Sequence, residues 1–202
     1  MKKFLKGVFS VCFILTLAAC SSGNQADNST TDNTPNESQE ATVSEPSGNT
    51  DTLIVYYSFS GNTKAAAEEL QRLTGGDIAA ITRTQDYPSD NDAFTEMAEQ
   101  EILDKSTPEI SLSVDSLDEY DVIFVGYPIW WEEAPAMIRT FLTEYDFQDK
   151  TVVPFCTSSS DGIEESLDVF DVLDGKATVT EGLRVNDYDE IPAWLEDIGV
   201  NN

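Results

Sequence analysis

The chain has 202 residues, 38 of them acidic and 11 basic, for a formal net charge of −27, and it contains no histidine. That length holds one domain with a sizeable core plus tails. The missing histidine excludes His-based triads, His-ligated metals and imidazole proton shuttles. The acidic balance weighs against nucleic acid, which needs a basic footprint; it suits either a basic patch on a protein partner or simply the solubility of an exported protein.

Residues 1–19 read as a leader: Lys2, Lys3 and Lys6 precede a short apolar run that ends at Leu17-Ala18-Ala19-Cys20. The run is too short for a comfortable membrane span. The closing tetrapeptide resembles a bacterial lipobox, which implies lipidation of Cys20, removal of residues 1–19 and anchoring at the outer face of the cytoplasmic membrane. Because the leader carries three lysines and no acid, its loss takes the formal charge from −27 to −30. It has no twin-arginine pair, so export is expected in the unfolded state. Residues 20–50 are polar and nearly devoid of large apolar side chains. Such a stretch cannot offset its ordering entropy and is expected to be a disordered tether.

The domain is expected over residues 51–202. An apolar run, Leu53 to Tyr57, opens through small polar residues into a helix whose stop is Gly75-Gly76. A second strand is expected over Asp77–Thr82, a loop over Arg83–Asp92 and a helix over Ala93–Lys105 with Phe94, Met97 and Ile102 inward. Asp121–Gly126 is a continuous apolar run of the kind buried in a parallel sheet. Ala134–Tyr145 follows as a helix with Met137, Ile138, Phe141 and Leu142 at core spacing. Thr151–Cys156 is the fourth strand, with Pro154 an oddity there, and Ile163–Leu173 the fourth helix. The fifth strand falls within Ala177–Val185, and the last helix spans Asp189–Ile198 with Pro192 near its first turn. Strands alternating with helices predict an α/β fold: a doubly wound five-stranded parallel sheet with helices on both faces. Ligands in such sheets sit at the strands' carboxyl ends beside the switch point. For the order 2-1-3-4-5, that means the loops after strands one, three and four.

The first of these loops carries Ser58, Ser60, Gly61, Asn62, Thr63 and Lys64. A helix N-terminus has unpaired N–H groups and partial positive charge, and these hydroxyl and amide side chains add donors. A phosphate monoester fits best, although the loop lacks the glycine spacings of dinucleotide and ATP loops. The second loop holds Tyr127, Pro128, Ile129, Trp130 and Trp131; adjacent tryptophans suggest stacking on a planar ring, or one of them packed beneath the loop. The third runs from Cys156 through Thr157, Ser158, Ser159, Ser160 and Asp161 to Gly162. Cys156 is read as a small strand-end residue in preference to a redox thiol.

The pattern Ile54-Val55-Tyr56-x-Ser58-x-x-Gly61-x-Thr63-x-x-x-Ala67-x-x-Leu70 resembles the signature of flavodoxins. Gly126-Tyr127-Pro128-Ile129-Trp130-Trp131 resembles a loop of a bacterial flavodoxin subgroup, continuing through Ala134-Pro135, Thr140-Phe141-Leu142 and Tyr145-Asp146-Phe147. The resemblance implies a flavodoxin-like fold binding FMN through Ser58, Ser60, Gly61, Asn62, Thr63, Lys64, Pro128, Ile129, Trp130, Trp131, Thr157, Ser158, Ser159, Asp161 and Gly162. It implies electron transfer with a redox partner protein. The alternatives are an FMN-dependent NAD(P)H:quinone-type reductase acting on a small acceptor, and a flavin-free binding module. The third loop departs from the subgroup's Thr-Ser-Gly-Gly-Ser-Gly: Ser159 and Ser160 replace the glycines, and Asp161 replaces a serine. Glu132 also stands where a small residue is common. Carboxylates beside a flavin disfavour its anionic reduced form, and Asp161 is alternatively a cap for the fourth helix.

Overall fold

The computed structural model describes residues 51–200; the leader, the tether and Cys20 lie outside the described residues. β1 (Thr52–Tyr56) is buried along its whole length, as its apolar run dictates. α1 (Asn62–Thr74) turns Ala66, Ala67 and Leu70 inward and ends where the Gly75 N–H donates to the Gln71 carbonyl at 2.8 Å. β2 (Asp77–Ala80) pairs parallel with β1. The expected second strand stops there, because β3 (Thr82–Arg83) turns away and pairs antiparallel with β4 (Ile110–Ser111). Between them lies α2 (Asn91–Leu103), which starts ahead of Ala93 because the Asp90 carboxylate accepts the Ala93 N–H at 3.0 Å as a cap. Ala98 is its buried residue, and the expected Phe94, Met97 and Ile102 are half-buried.

β5 (Val122–Pro128) carries the third apolar run, and α3 (Ala136–Glu144) begins after the extended cap Pro135, later than the expected Ala134. β6 (Thr151–Thr157) is followed by a 3₁₀ helix, Ile163–Leu173, instead of an α-helix. The fifth strand is broken into β7 (Thr178–Val179) and β8 (Leu183–Arg184), both parallel to β6. Pro154 accounts for the break. The Val152 carbonyl accepts from Thr180 N–H at 2.9 Å and the Cys156 carbonyl from Val185 N–H at 2.8 Å. By the two-residue period, position 154 faces the same neighbour, where proline has no N–H to give. A short 3₁₀ turn, Tyr188–Glu190, leads into α4 (Ile191–Asp197) with Pro192 in its first turn, so the last helix is split where one was expected.

The six-stranded sheet runs β2-β1-β5-β6-β7, with β8 also on β6. In chain order of its long strands this is the expected 2-1-3-4-5. Alternation along the strands supplies two cores. Leu53, Val55, Ile123, Val125 and Val152 meet Met137, Ile138, Phe141, Val169 and Phe170 of α3 and the long 3₁₀ helix. Ile54, Phe124, Val153 and Phe155 meet Ala66, Ala67, Leu70, Ile191, Trp194 and Leu195 of α1 and α4. Helices thus cover both faces, and the carboxyl ends of β1, β5 and β6 open side by side.

Candidate functional site at the carboxyl ends of the strands

The corner after β1 is built to leave donors open. Gly61 is the N-cap of α1 at φ 95°, a conformation that only glycine takes without strain, and it offers no capping side chain. Ala65 N–H is the first to bond within the helix, to the Gly61 carbonyl at 3.0 Å. The N–H groups of Asn62, Thr63 and Lys64 therefore have no intrahelical acceptor. Ser58 Oγ accepts the Gly61 N–H at 3.1 Å and holds the turn. Thr63, only 2 % exposed, shares a hydrogen bond of 2.8 Å with the Thr157 hydroxyl, tying the first loop to the third. Lys64 is exposed and lies 3.6 Å from Glu68, on the side of the corner away from Ser60 and Asn62.

In the second loop the two tryptophans have different fates. Trp130 meets Tyr57, Phe59, Tyr87 and Phe94 at ring-centroid distances of 5.7, 5.7, 6.0 and 5.4 Å, mostly edge-on, and packs beneath the loop. Trp131 is 43 % exposed. Trp130 and Glu133 exchange backbone hydrogen bonds of 2.9 Å in both directions. Trp131 and Glu132, at φ 49° and 64°, are thus the two left-handed residues of a tight hairpin turn, a turn that ordinarily selects Asn and Gly. A side chain here costs on the order of 1 kcal/mol. Glu132→Gly is therefore expected to raise stability by about 1 kcal/mol, seen as a higher urea midpoint with an unchanged slope.

The third loop avoids left-handed backbone altogether: none of residues 157–162 has positive φ, so the serines replace the subgroup's glycines without strain. Asp161 does not cap the following helix, whose N-cap is Gly162 with no side-chain bond. Its carboxylate folds back to accept the Ser160 hydroxyl at 2.8 Å and the Ser158 hydroxyl at 3.3 Å, while its own N–H donates to Ser158 Oγ at 2.9 Å. Sequence reasoning missed the clamp that holds this loop. Arg184 Nη1 donates to the Ser160 carbonyl at 2.8 Å and to that of Asp161 at 3.3 Å. With the Asn186 amide oriented so that its oxygen faces Arg184, its nitrogen donates to the Ser158 carbonyl at 3.1 Å and its oxygen accepts from Arg184 Nη2 at 2.8 Å and Nε at 2.9 Å. An arginine ending a short strand and an asparagine two residues beyond it were the available signal.

These loops enclose a cleft of about 760 Å³, in the size range of cofactor sites. Ser60, Asn62, Pro128, Ile129, Thr157, Ser158 and Ser159 line it, and Val185, Asp187 and Tyr188 close it from a direction the sequence did not suggest. Thr63, Trp130, Trp131, Asp161 and Gly162 do not line it, and Ser58, Gly61 and Lys64 face the neighbouring cleft. Cys156 is wholly buried, and burial pushes its thiol up to about 12. In residues 51–202 that thiol is expected to ignore a disulfide reagent at about pH 8 until denaturant is added, because so little thiolate forms; stoichiometric labelling of the folded protein would contradict this. Among the described residues no group of three acidic or cysteine side chains is placed to hold a metal ion.

A parallel sheet with an open helix N-terminus at its switch point, beside a cleft between the two adjoining loops, defines a doubly wound domain suited to a phosphorylated planar ligand. The flavodoxin family model matches residues 51–198. The chain belongs to the flavodoxin family. A Bacteroides eggerthii DSM 20697 protein assigned as a flavoprotein is 36 % identical, with a TM-score of 0.68 over 75 % of this chain and 99 % of its own. A second, from Bacteroides uniformis ATCC 8492, is 29 % identical with a TM-score of 0.65 over 73 % and 98 %. A flavoprotein from Lactobacillus acidophilus NCFM, solved in complex with FMN, is 26 % identical with a TM-score of 0.61 over 72 % and 99 %. No curated protein matches the chain.

Proposed function

We propose that this protein binds FMN and carries electrons at the outer face of the cytoplasmic membrane, held there by lipid on Cys20. The observation that carries the reading is the first turn of α1, which no N-cap side chain closes, opening beside the cleft at Asn62. In this reading the N–H groups of Asn62, Thr63 and Lys64, with the Ser60 and Asn62 side chains, hold the phosphate. Pro128 and Ile129 on one side and Thr157, Ser158 and Ser159 on the other flank the ring system. Trp131, outside the cleft lining, is the tryptophan with the more exposed ring, since Trp130 packs against Tyr57, Phe59, Tyr87 and Phe94. The FMN found in the Lactobacillus acidophilus relative supports the choice of cofactor.

FMN supplies the electron chemistry when bound, and the protein supplies binding, orientation and the surrounding field. No side chain is assigned as acid or base. The Asp161 carboxylate, outside the cleft lining, is held within its own loop by the Ser158 and Ser160 hydroxyls. Arg184 backs the same loop with a positive charge. The acidic surface fits a partner with a basic patch, with exchange slowing steeply as salt screens the pair.

Flavin fluorescence on titrating the purified protein with FMN tests the central claim: saturable quenching at stoichiometric ratio supports it, and unquenched fluorescence at micromolar protein rejects it. Refolded protein should take up FMN unaided, as export in the unfolded state requires. Anchoring is tested by membrane fractionation, where Cys20→Ser should release the protein.

A further inference from the structure

We propose that the cleft on the other side of the Ser58–Gly61 corner is a second ligand site, taking a flat, uncharged aromatic compound that bears a carbonyl oxygen. The inference does not rest on FMN binding. This cleft, about 560 Å³, lies over the carboxyl end of β2 between the start of α1 and the loop leading into α2. Tyr57, Phe59, Tyr87, Phe94 and Arg83 form its walls.

One group in it stands out. Tyr57 is only 8 % exposed, yet its hydroxyl makes no hydrogen bond with the described residues. Thr52 Oγ1 is the sealed polar atom left unpaired, so the Tyr57 hydroxyl keeps an opening, and this cleft is what Tyr57 lines. Its neighbours Arg83 and Tyr87 are engaged elsewhere. Arg83 Nε donates to the Gln85 carbonyl at 2.8 Å, its Nη1 to both Glu101 oxygens at 2.9 and 2.8 Å, and the Tyr87 hydroxyl to Glu101 Oε2 at 2.7 Å. A buried hydroxyl costs free energy until something accepts from it or water reaches it. Burial pushes the Tyr57 phenol up to about 12, so it remains a donor throughout the ordinary pH range. What Tyr57 offers a ligand in this cleft is therefore a donor, which an acceptor would meet.

The surroundings narrow the class. Phe59 stacks on Phe94 with centroids 4.7 Å apart and planes 14° apart, and remains 59 % exposed, which leaves its other face open to a flat ring. The guanidinium of Arg83 lies 4.1 Å over the Tyr87 ring with its charge met by Glu101, and Lys64 at the rim is met by Glu68. Asp86 lines the same rim. No uncompensated charge is left to select an anion, so a neutral carbonyl is the acceptor that fits. The volume admits a two-ring compound.

The test uses 2-acetylnaphthalene and 2-ethylnaphthalene, alike in shape but differing in the acceptor, titrated into the purified protein with and without FMN and followed by amide NMR. The acetyl compound is expected to bind about tenfold tighter, to shift the amides of Ile81, Arg83 and Phe94, and to bind equally in both preparations. Tyr57→Phe should abolish the tenfold difference while leaving the fluorescence of added FMN quenched as before. Equal affinities for the two probes in the native protein, shifts centred on Thr157–Asn186, or competition with FMN would each overturn the proposal. The probe comparison stands on the native protein even where the variant fails to fold.

Discussion

Riboflavin is expected to bind on the order of a thousandfold more weakly than FMN. The two differ only by the phosphate, and the corner after β1 has little else to do. Three first-turn N–H groups and two side chains face an acceptor that riboflavin lacks. Hydrogen bonds to a charged group contribute about 1.5–3 kcal/mol each, so two net bonds amount to roughly 4 kcal/mol, or three decades. Salt should act with unusual sign. The formal charge of −27 opposes a dianion at long range, whereas the favourable contacts act at hydrogen-bond distance. Raising ionic strength from about 0.01 to 0.15 M shortens the screening length from about 30 to 8 Å and removes mainly the repulsion. FMN affinity should therefore rise with salt while riboflavin affinity stays level. Gly61→Ala has open space for its methyl group but must hold φ near 95°, and is expected to lower FMN affinity about tenfold with little effect on riboflavin. Fluorescence titrations in parallel read all three; equal affinities for the two flavins would remove the phosphate site.

Gly126→Ala is expected to destabilise the fold by about 3 kcal/mol, the largest single-methyl effect in the domain. A Cβ at this position would sit 2.1 Å from Phe155 Cζ and 2.5 and 2.6 Å from the ring's Cε atoms. Phe155 is fully buried on the adjacent strand, and Gly126 is paired on both sides, to Tyr56 in β1 and to Phe155 in β6. Neither the ring nor the backbone can yield cheaply in the middle of a close-packed sheet. Phe155→Leu should cost stability alone yet recover part of the loss in the double variant, a coupling that urea denaturation of the four proteins measures. Additive losses would show that the two positions do not compete for the same space.

The sheet was legible where it is thick. The runs at Leu53–Tyr57, Asp121–Gly126 and Thr151–Cys156 are apolar because both faces are covered, and that condition is written in the residues themselves. β3 and β4 are two residues each, with Arg83 inside one of them, and no periodicity can announce so short a pair. Pro154 is odd within its own run, but its effect falls on a different strand. At the site, the Ser58–Thr63 corner was readable because its donors are local in sequence. The clamp of Arg184 and Asn186 on the third loop was not, since it joins positions more than twenty residues apart. Nor does composition distinguish the half-buried Trp130 from the exposed Trp131, because a left-handed turn carrying no glycine sets them apart.

The hydrogen bond between the Thr63 and Thr157 hydroxyls has a temporal side. The partners lie 94 positions apart, so a growing chain that has delivered its first corner still lacks the bolt that fixes it. An exported polypeptide threading outward amino end first would be unable to trap its prosthetic group until most of its length had crossed. In the proposed exported form, loading would then follow the arrival of β6, which carries Thr157.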